Sequence, residues 1–208
     1  MSSDTIPTPV KDEAKKAQIL QAAFAVFCSY GVRRTSMQDI AERAGMSRAA
    51  LYLHYKSKDD ILRSLLQGYY DTVAAEVRNA LASADTPTAA LKAAFSVMAG
   101  ENFAVLMESP HGPELLDSKY TVGADITQAG EAAMVAIYAD WLRDWAARGA
   151  IDPAMMNGDP EGFAATIKGA LYGLTGTDVS FAEFRKHADR IAEVFGAALT
   201  PKSAIRDA

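Results

Sequence analysis

Between Thr35 and Lys58 the chain concentrates side chains that suit nucleic acid better than a reaction. Arg48 carries a guanidinium whose forked donors match O6 and N7 of guanine. Ala49 and Ala50 beside it are small enough to let a helix backbone sit deep in a major groove. The phenols of Tyr52 and Tyr55, the ammonium of Lys58, the hydroxyls of Thr35, Ser36 and Ser47 and the free amides at helix starts all suit phosphate oxygens. Patterns for catalysis are missing: there is no GxSxG elbow, no glycine-rich loop ending in Lys-Ser or Lys-Thr, no HExxH and no paired-cysteine spacing. His54, His111 and His187 are far apart in sequence. His111, in ESPHGPE between Glu108 and Glu114, is the one place where an acid/base or metal pair could form, against the alternative of a solvated turn. No metal, cofactor or enzymatic activity is therefore expected. The single cysteine, Cys28 in AAFAVFCSY, cannot close an internal disulfide and has no neighbouring lysine or histidine in sequence to activate it, so it reads as a small buried position.

Two short helices must hold these groups. Ser36 and Asp39 form a capping-box pattern that opens the first of them, and Gly45 ends it where the chain must turn with positive φ. Ser47 opens the second, which runs to about His54. Ala41 sits where the pair approaches closely, and Ile40, Met46 and Leu51 point inward to fix the crossing angle. Such a pair buries too little surface alone, so a helix from about Lys11 to Ser29, with Ile19, Leu20, Ala23, Phe24 and Phe27 on its apolar stripe, must pack over it.

The run TSMQDIAERAGMSRAALYLHYKSKDDIL, with the preceding IL, AAFAVF and GV, resembles the N-terminal DNA-binding domain of TetR/AcrR-family regulators from about Ile19 to Leu65. The resemblance implies a homodimer on a palindromic double-stranded DNA operator, usually a repressor, released by a small molecule in the C-terminal body. By position it implies base contacts at Gln38, Arg48, Ala49 and His54 and phosphate contacts at Thr35, Ser36, Tyr52, Tyr55 and Lys58. Because alanines offer only methyl contacts, specificity would lean on Arg48 and Gln38.

The whole chain of 208 residues carries 21 Lys plus Arg against 26 Asp plus Glu, a balance that argues against a nucleic-acid partner. Its distribution reverses that argument: up to Lys58 there are nine basic and five acidic residues, net +4, and beyond it the net is −9. Apolar residues recur at helical spacing nearly throughout and strand alternation is almost absent, so the class is all-α with about nine helices. The expected organisation is a disordered tail at 1–10, a three-helix helix-turn-helix domain at 11–57, and a C-terminal helical bundle for ligand binding and dimerisation at 58–208 whose first helix, 58–83, is the connector. Thr86-Pro87 should start a helix running to about Ser109; PHGPELLDSKY should be a turn-rich link with a short helix at most; a long helix should end near Arg148; and Asp152-Pro153, Asp159-Pro160 and Ser180 with Glu183 mark later starts.

Gly169, Gly173, Gly176 and Gly196 leave small faces on the last two helices, suited either to a dimer interface or to tight packing within one subunit. Phe95, Met98, Phe103, Met107, Tyr138, Trp141, Trp145 and Phe163 suggest a pocket for flat or greasy ligands, or simply a core. No apolar run is long enough to span a membrane and the N-terminus lacks a signal-peptide centre, which implies cytoplasmic residence. A ligand-independent DNA-binding architectural factor and a helical enzyme are the alternatives, and the sign of regulation stays open.

Overall fold

The computed structural model describes residues 9–174 and 179–201. Within them the chain forms ten α-helices: α1 (Pro9–Tyr30), α2 (Met37–Arg43), α3 (Arg48–Tyr52), α4 (Lys58–Ala82), α5 (Pro87–Met98), α6 (Glu101–Glu108), α7 (Gly112–Thr121), α8 (Ala124–Ala147), α9 (Pro160–Tyr172) and α10 (Phe181–Leu199), with a 3-10 turn at Pro153–Met156. No strand occurs among the described residues, and no single helix there is long and apolar enough to cross a membrane. Of the expected tail, residues 1–8 lie outside the described residues, and α1 already includes Pro9 and Val10.

Most helix starts follow from side-chain chemistry. Ser36 and Ser180 each form a full capping box, with Asp39 and Glu183 returning the bond to the cap amide. The Thr86, Asp152 and Asp159 side chains cap the Pro87, Pro153 and Pro160 starts, where proline gives up an amide that had no partner. Two segments depart from the pattern reading. The expected helix from Pro87 to Ser109 breaks into α5 and α6, whose axes differ by 59°. Ala99 leaves helical geometry at φ −90°, ψ 34°, and the Gly100 carbonyl starts α6 by accepting from the Phe103 and Ala104 amides. Glycine has the least helix propensity after proline, so the break falls there. Conversely, PHGPELLDSKY contains a ten-residue helix, α7. Burial of Leu115 and packing against α1 stabilise a helix that its Gly-Pro start and polar composition do not announce.

The chain divides into two units. The first runs to Gly68 and also takes in Ser109–Ile126; the second comprises Tyr69–Glu108 and residues from Thr127 onward. The sequence pattern puts the division at 57/58, whereas here α4 and α8 each contribute residues to both units. In the first unit Ile19, Ala23 and Phe27 of α1, Ile40 and Ala41 of α2, Leu51 of α3 and Ile61 of α4 are fully buried. Polar ties bind α7 and its flanks into this unit. Glu114 accepts the Arg33 amide at 2.8 Å. Gly31, at φ +82°, leaves room for that carboxylate, which a Cβ would strike. Arg63 makes two 2.7 Å bonds to Asp125 and one of 2.9 Å to the Val122 carbonyl, and the guanidinium holds the Asp125 carboxyl down at about 2.

The core of the second unit draws on Val77, Leu81, Leu91, Phe95, Met134, Tyr138, Leu142, Ile167, Phe184 and Leu199. Its closest helix pair is α5 with α10, and Gly196 is the residue that permits it. A Cβ there would land on the Thr88 backbone, which cannot swing aside as a side chain can. Gly196→Ala is accordingly expected to destabilise the protein by ~1–3 kcal/mol. Thermal unfolding followed by circular dichroism measures this, and an unaltered midpoint would mean that Gly196 does not set the α5–α10 spacing.

Candidate nucleic-acid interface

The helix-turn-helix is built from short-range bonds closed by one long-range clamp. Ser36 Oγ accepts the Asp39 amide while the Ser36 amide donates to Asp39 Oδ2 at 2.8 Å. These bonds hold the Asp39 carboxyl below its usual range. At the far end of α2, Gly45 takes φ +65°, and the Gly45 and Met46 amides donate to Glu42 and Ala41 carbonyls, so the chain reverses within three residues. Gln18 of α1 donates to the Ala44 carbonyl at 2.7 Å, pinning the turn to α1. Ser47 then caps α3 by accepting the Ala50 amide. With Ile40, Ala41 and Leu51 buried, α3 has one remaining face, and Arg48, Ala49, Tyr52 and Leu53 are exposed on it.

The residues expected to meet DNA separate into two groups. Gln38, Arg48 and Ala49 are exposed; Gln38 donates to Glu42 one turn on, and Arg48 lies against Tyr52, with a 3.3 Å bond to its hydroxyl and the guanidinium carbon 5.5 Å from the ring centre. Ser36, Ser47 and Tyr52 are exposed too, the two serines already serving as caps. The others are committed inside the unit. Thr35 is 3% exposed and its hydroxyl donates to the Gly31 carbonyl at 2.7 Å. Tyr55 is buried. His54 turns toward α1, its Nδ1 3.1 Å from Asp12, which also pairs with Lys16. Lys58 donates to three carbonyls, Val32 at 2.8 Å, Thr35 at 3.1 Å and Arg33 at 3.2 Å, matching its three N–H donors one for one.

Sequence reasoning passed over Leu53, the most exposed large apolar side chain among the described residues, and the exposed cations Arg33, Arg34, Arg43 and Lys56 of the same unit. Charge and position alone were the available signal for the cations. His111 and Glu114 do come near each other, at 3.9 Å, but Glu114 is occupied by the Arg33 amide, and no group of three or more metal-ligating side chains occurs among the described residues. Burial pushes the Cys28 thiol above its ordinary range, in keeping with an inert position.

The same geometry is accompanied by clear kinship. Residues 19–65 match the family model for bacterial regulatory proteins of the tetR family. The chain is 42% identical over 64 residues to the HTH-type transcriptional regulator TtgR of Pseudomonas putida, 30% of each chain. It is 33% identical over 82 residues to the HTH-type transcriptional repressor KstR2 of Mycobacterium tuberculosis, 39% of this chain and 41% of that one. Those matches therefore span well under half the length of either relative. The similarity of fold is wider: a solved TetR-family regulator structure from Mesorhizobium loti superposes with a TM-score of 0.70 at 25% identity, covering 92% of this chain and 99% of that one. Over residues 19–65 the chain is thus similar to TetR-family regulators, and in fold to a solved structure of one of them.

The glycines expected at a dimer surface differ among themselves. Gly169 and Gly173 are exposed; nothing would meet a Cβ on Gly169, and only carbonyls of its own helix lie near one on Gly173. Gly196 is instead filled from within by Thr88, so its small size serves α5–α10 packing, and Gly176 lies outside the described residues. Of the expected pocket residues, Phe95, Met98, Tyr138, Trp141 and Trp145 are buried, and Phe103, Met107 and Phe163 pack partly buried against the same core. Trp141 Nε1 is buried with no hydrogen-bond partner. The Tyr138 hydroxyl donates to the Met98 sulfur at 3.7 Å, and burial pushes its phenol up so that it remains a neutral donor.

The clamp on the loop before α2 makes a direct prediction. Lys58→Ala leaves three carbonyls without their donor, with an expected stability loss of about 2 kcal/mol. Denaturant unfolding reads this, and wild-type stability in the variant would return Lys58 to a role at the surface.

Proposed function

We propose that this chain is a DNA-binding transcriptional repressor that acts as a homodimer on a palindromic operator and is released by a small apolar or aromatic effector bound in the second unit. The observation that carries the DNA-binding part is the α3 face. A rigid turn and a three-helix core hold Arg48, Ala49 and Tyr52 outward on a helix whose other side is buried. Base readout falls to Arg48, Gln38 and Ala49, and phosphate contact to Ser36, Ser47 and Tyr52 with the exposed arginines nearby. Thr35, Tyr55, His54 and Lys58 act by positioning. A KstR2 relative named as a repressor supports the sign of regulation. Exposed Ala165 and Gly169 on α9 and Gly173 at its C-terminal cap, with Val194 and Ala197 on α10, support an isologous contact between two copies. Selection of bound duplexes from a random pool tests both parts. Two inverted half-sites spaced by about one helical turn or somewhat more are expected. Arg48→Ala should lose about 1–3 kcal/mol of affinity and relax one position of the selected site. A single unpaired site, or an Arg48→Ala variant with unchanged preference, would overturn the dimer or the readout.

The effector reading rests on the two polar groups in the second core. A buried indole N–H without an acceptor costs free energy that a ligand oxygen would recover, and the Tyr138 hydroxyl, which donates to the weakly accepting Met98 sulfur, is a second donor that a ligand oxygen would suit better. The favoured effector is thus an aromatic molecule carrying a neutral acceptor. Both tryptophans of the chain, Trp141 and Trp145, have ring centres 5.2 Å apart in this core, so intrinsic fluorescence reports directly on it. Titration with a panel of neutral aryl ketones and ethers should give a saturable emission change at the concentration that releases DNA. DNA release with unchanged emission would place the effector elsewhere.

A further inference from the structure

Leu53 is 85% exposed, beyond every other large apolar side chain among the described residues. It has no place in the core, and a leucine held in water adds nothing to the fold. Its backbone, at φ −71° and ψ −23°, continues the helical turn of α3, so Leu53 stands one turn after Ala49 on the same side. The two make an apolar strip beside Arg48 and Tyr52, on the unit whose charge up to Lys58 is net +4. A major groove presents hydrogen-bond donors and acceptors at every base edge, and one apolar group, the C5-methyl of thymine.

We propose that Leu53, with Ala49 before it, reads thymine methyl groups in the operator. This rests on the DNA-binding reading above and adds to it a specificity element without hydrogen bonds. Arginine at position 48 would report guanine while the strip beside it reports thymine, so the half-site carries both within a few base pairs.

The probe is the duplex that the wild-type protein selects from a random pool, with each thymine replaced in turn by deoxyuridine, which deletes the methyl and leaves every hydrogen-bonding group in place. Dissociation constants are measured by fluorescence anisotropy for the wild type and for Leu53→Ala, whose melting temperature should match the wild type because the side chain is exposed. At one or two thymines the wild type should weaken about fourfold, the scale for one buried methyl-sized group. Leu53→Ala should bind the unmodified duplex several-fold more weakly and lose nothing further at those same thymines. The inference is overturned if the wild type is indifferent to every replacement, or if Leu53→Ala remains as sensitive as the wild type. It is also overturned if Leu53→Ala weakens all duplexes by an equal factor, which would put Leu53 on the sugar-phosphate backbone. Failure to select any duplex would overturn the DNA-binding reading itself, whereas binding that ignores the thymine methyls overturns only this inference.

Discussion

The ammonium of Lys58 seated on the carbonyls of Val32, Arg33 and Thr35 is the constraint on which the exposed face of α3 depends. The chain leaves α1 at Gly31 and must reach the Ser36 cap within five residues, which strands carbonyls that no helix ladder can satisfy. A lysine at the first residue of α4 supplies three donors at once and ties the start of α4 to the loop that launches α2. The direction of α2, the Gly45 turn and hence the exposure of Arg48, Ala49, Tyr52 and Leu53 all follow from where that loop is held. A charge-assisted bond to a carbonyl is stronger than a neutral one, which suits a single residue to this task.

The first unit is also discontinuous. Glu114, Arg63 with Asp125, and Ser109, whose hydroxyl donates to the Cys28 carbonyl, bring residues 109–126 into a unit whose other members end at Gly68. The Arg63–Asp125 pair is exposed and adds little stability by itself. Glu114 matters more, because it satisfies a backbone amide of the same loop that Lys58 clamps, from the opposite charge. Amide and carbonyls of one short turn are thus closed by two side chains from two different helices.

In the second unit, shape and polarity answer to different demands. Gly196 and Thr88 show close packing taken to its limit, where one added carbon has no room. Trp141 sits in the same core with its indole N–H unpaired, and Tyr138 donates only a weak bond to the Met98 sulfur, although apolar side chains of similar size would pack there without that cost.

How much of this could be read without coordinates depends on the range of the interaction. Helix starts at Ser36, Pro87, Pro160 and Ser180, the turn at Gly45, the buried Ile40, Ala41 and Leu51 and the outward Arg48 are all set by neighbours within a turn or two, and the sequence by itself determined them. Tertiary structure alone decided the fates of residues with equally suitable chemistry. Thr35, Tyr55 and Lys58 have the groups a phosphate needs, yet they meet carbonyls or the core, and His54 meets Asp12 42 positions away, while Leu53, which looks like core, is left in water. It likewise decided that α7 exists, because burial of Leu115 and the Glu114–Arg33 bond, 81 residues apart in sequence, override weak local propensity. The physical reason is common to all of these cases: capping and periodicity are local and leave a mark in the sequence, whereas which donor reaches which distant carbonyl is settled only when the helices have packed.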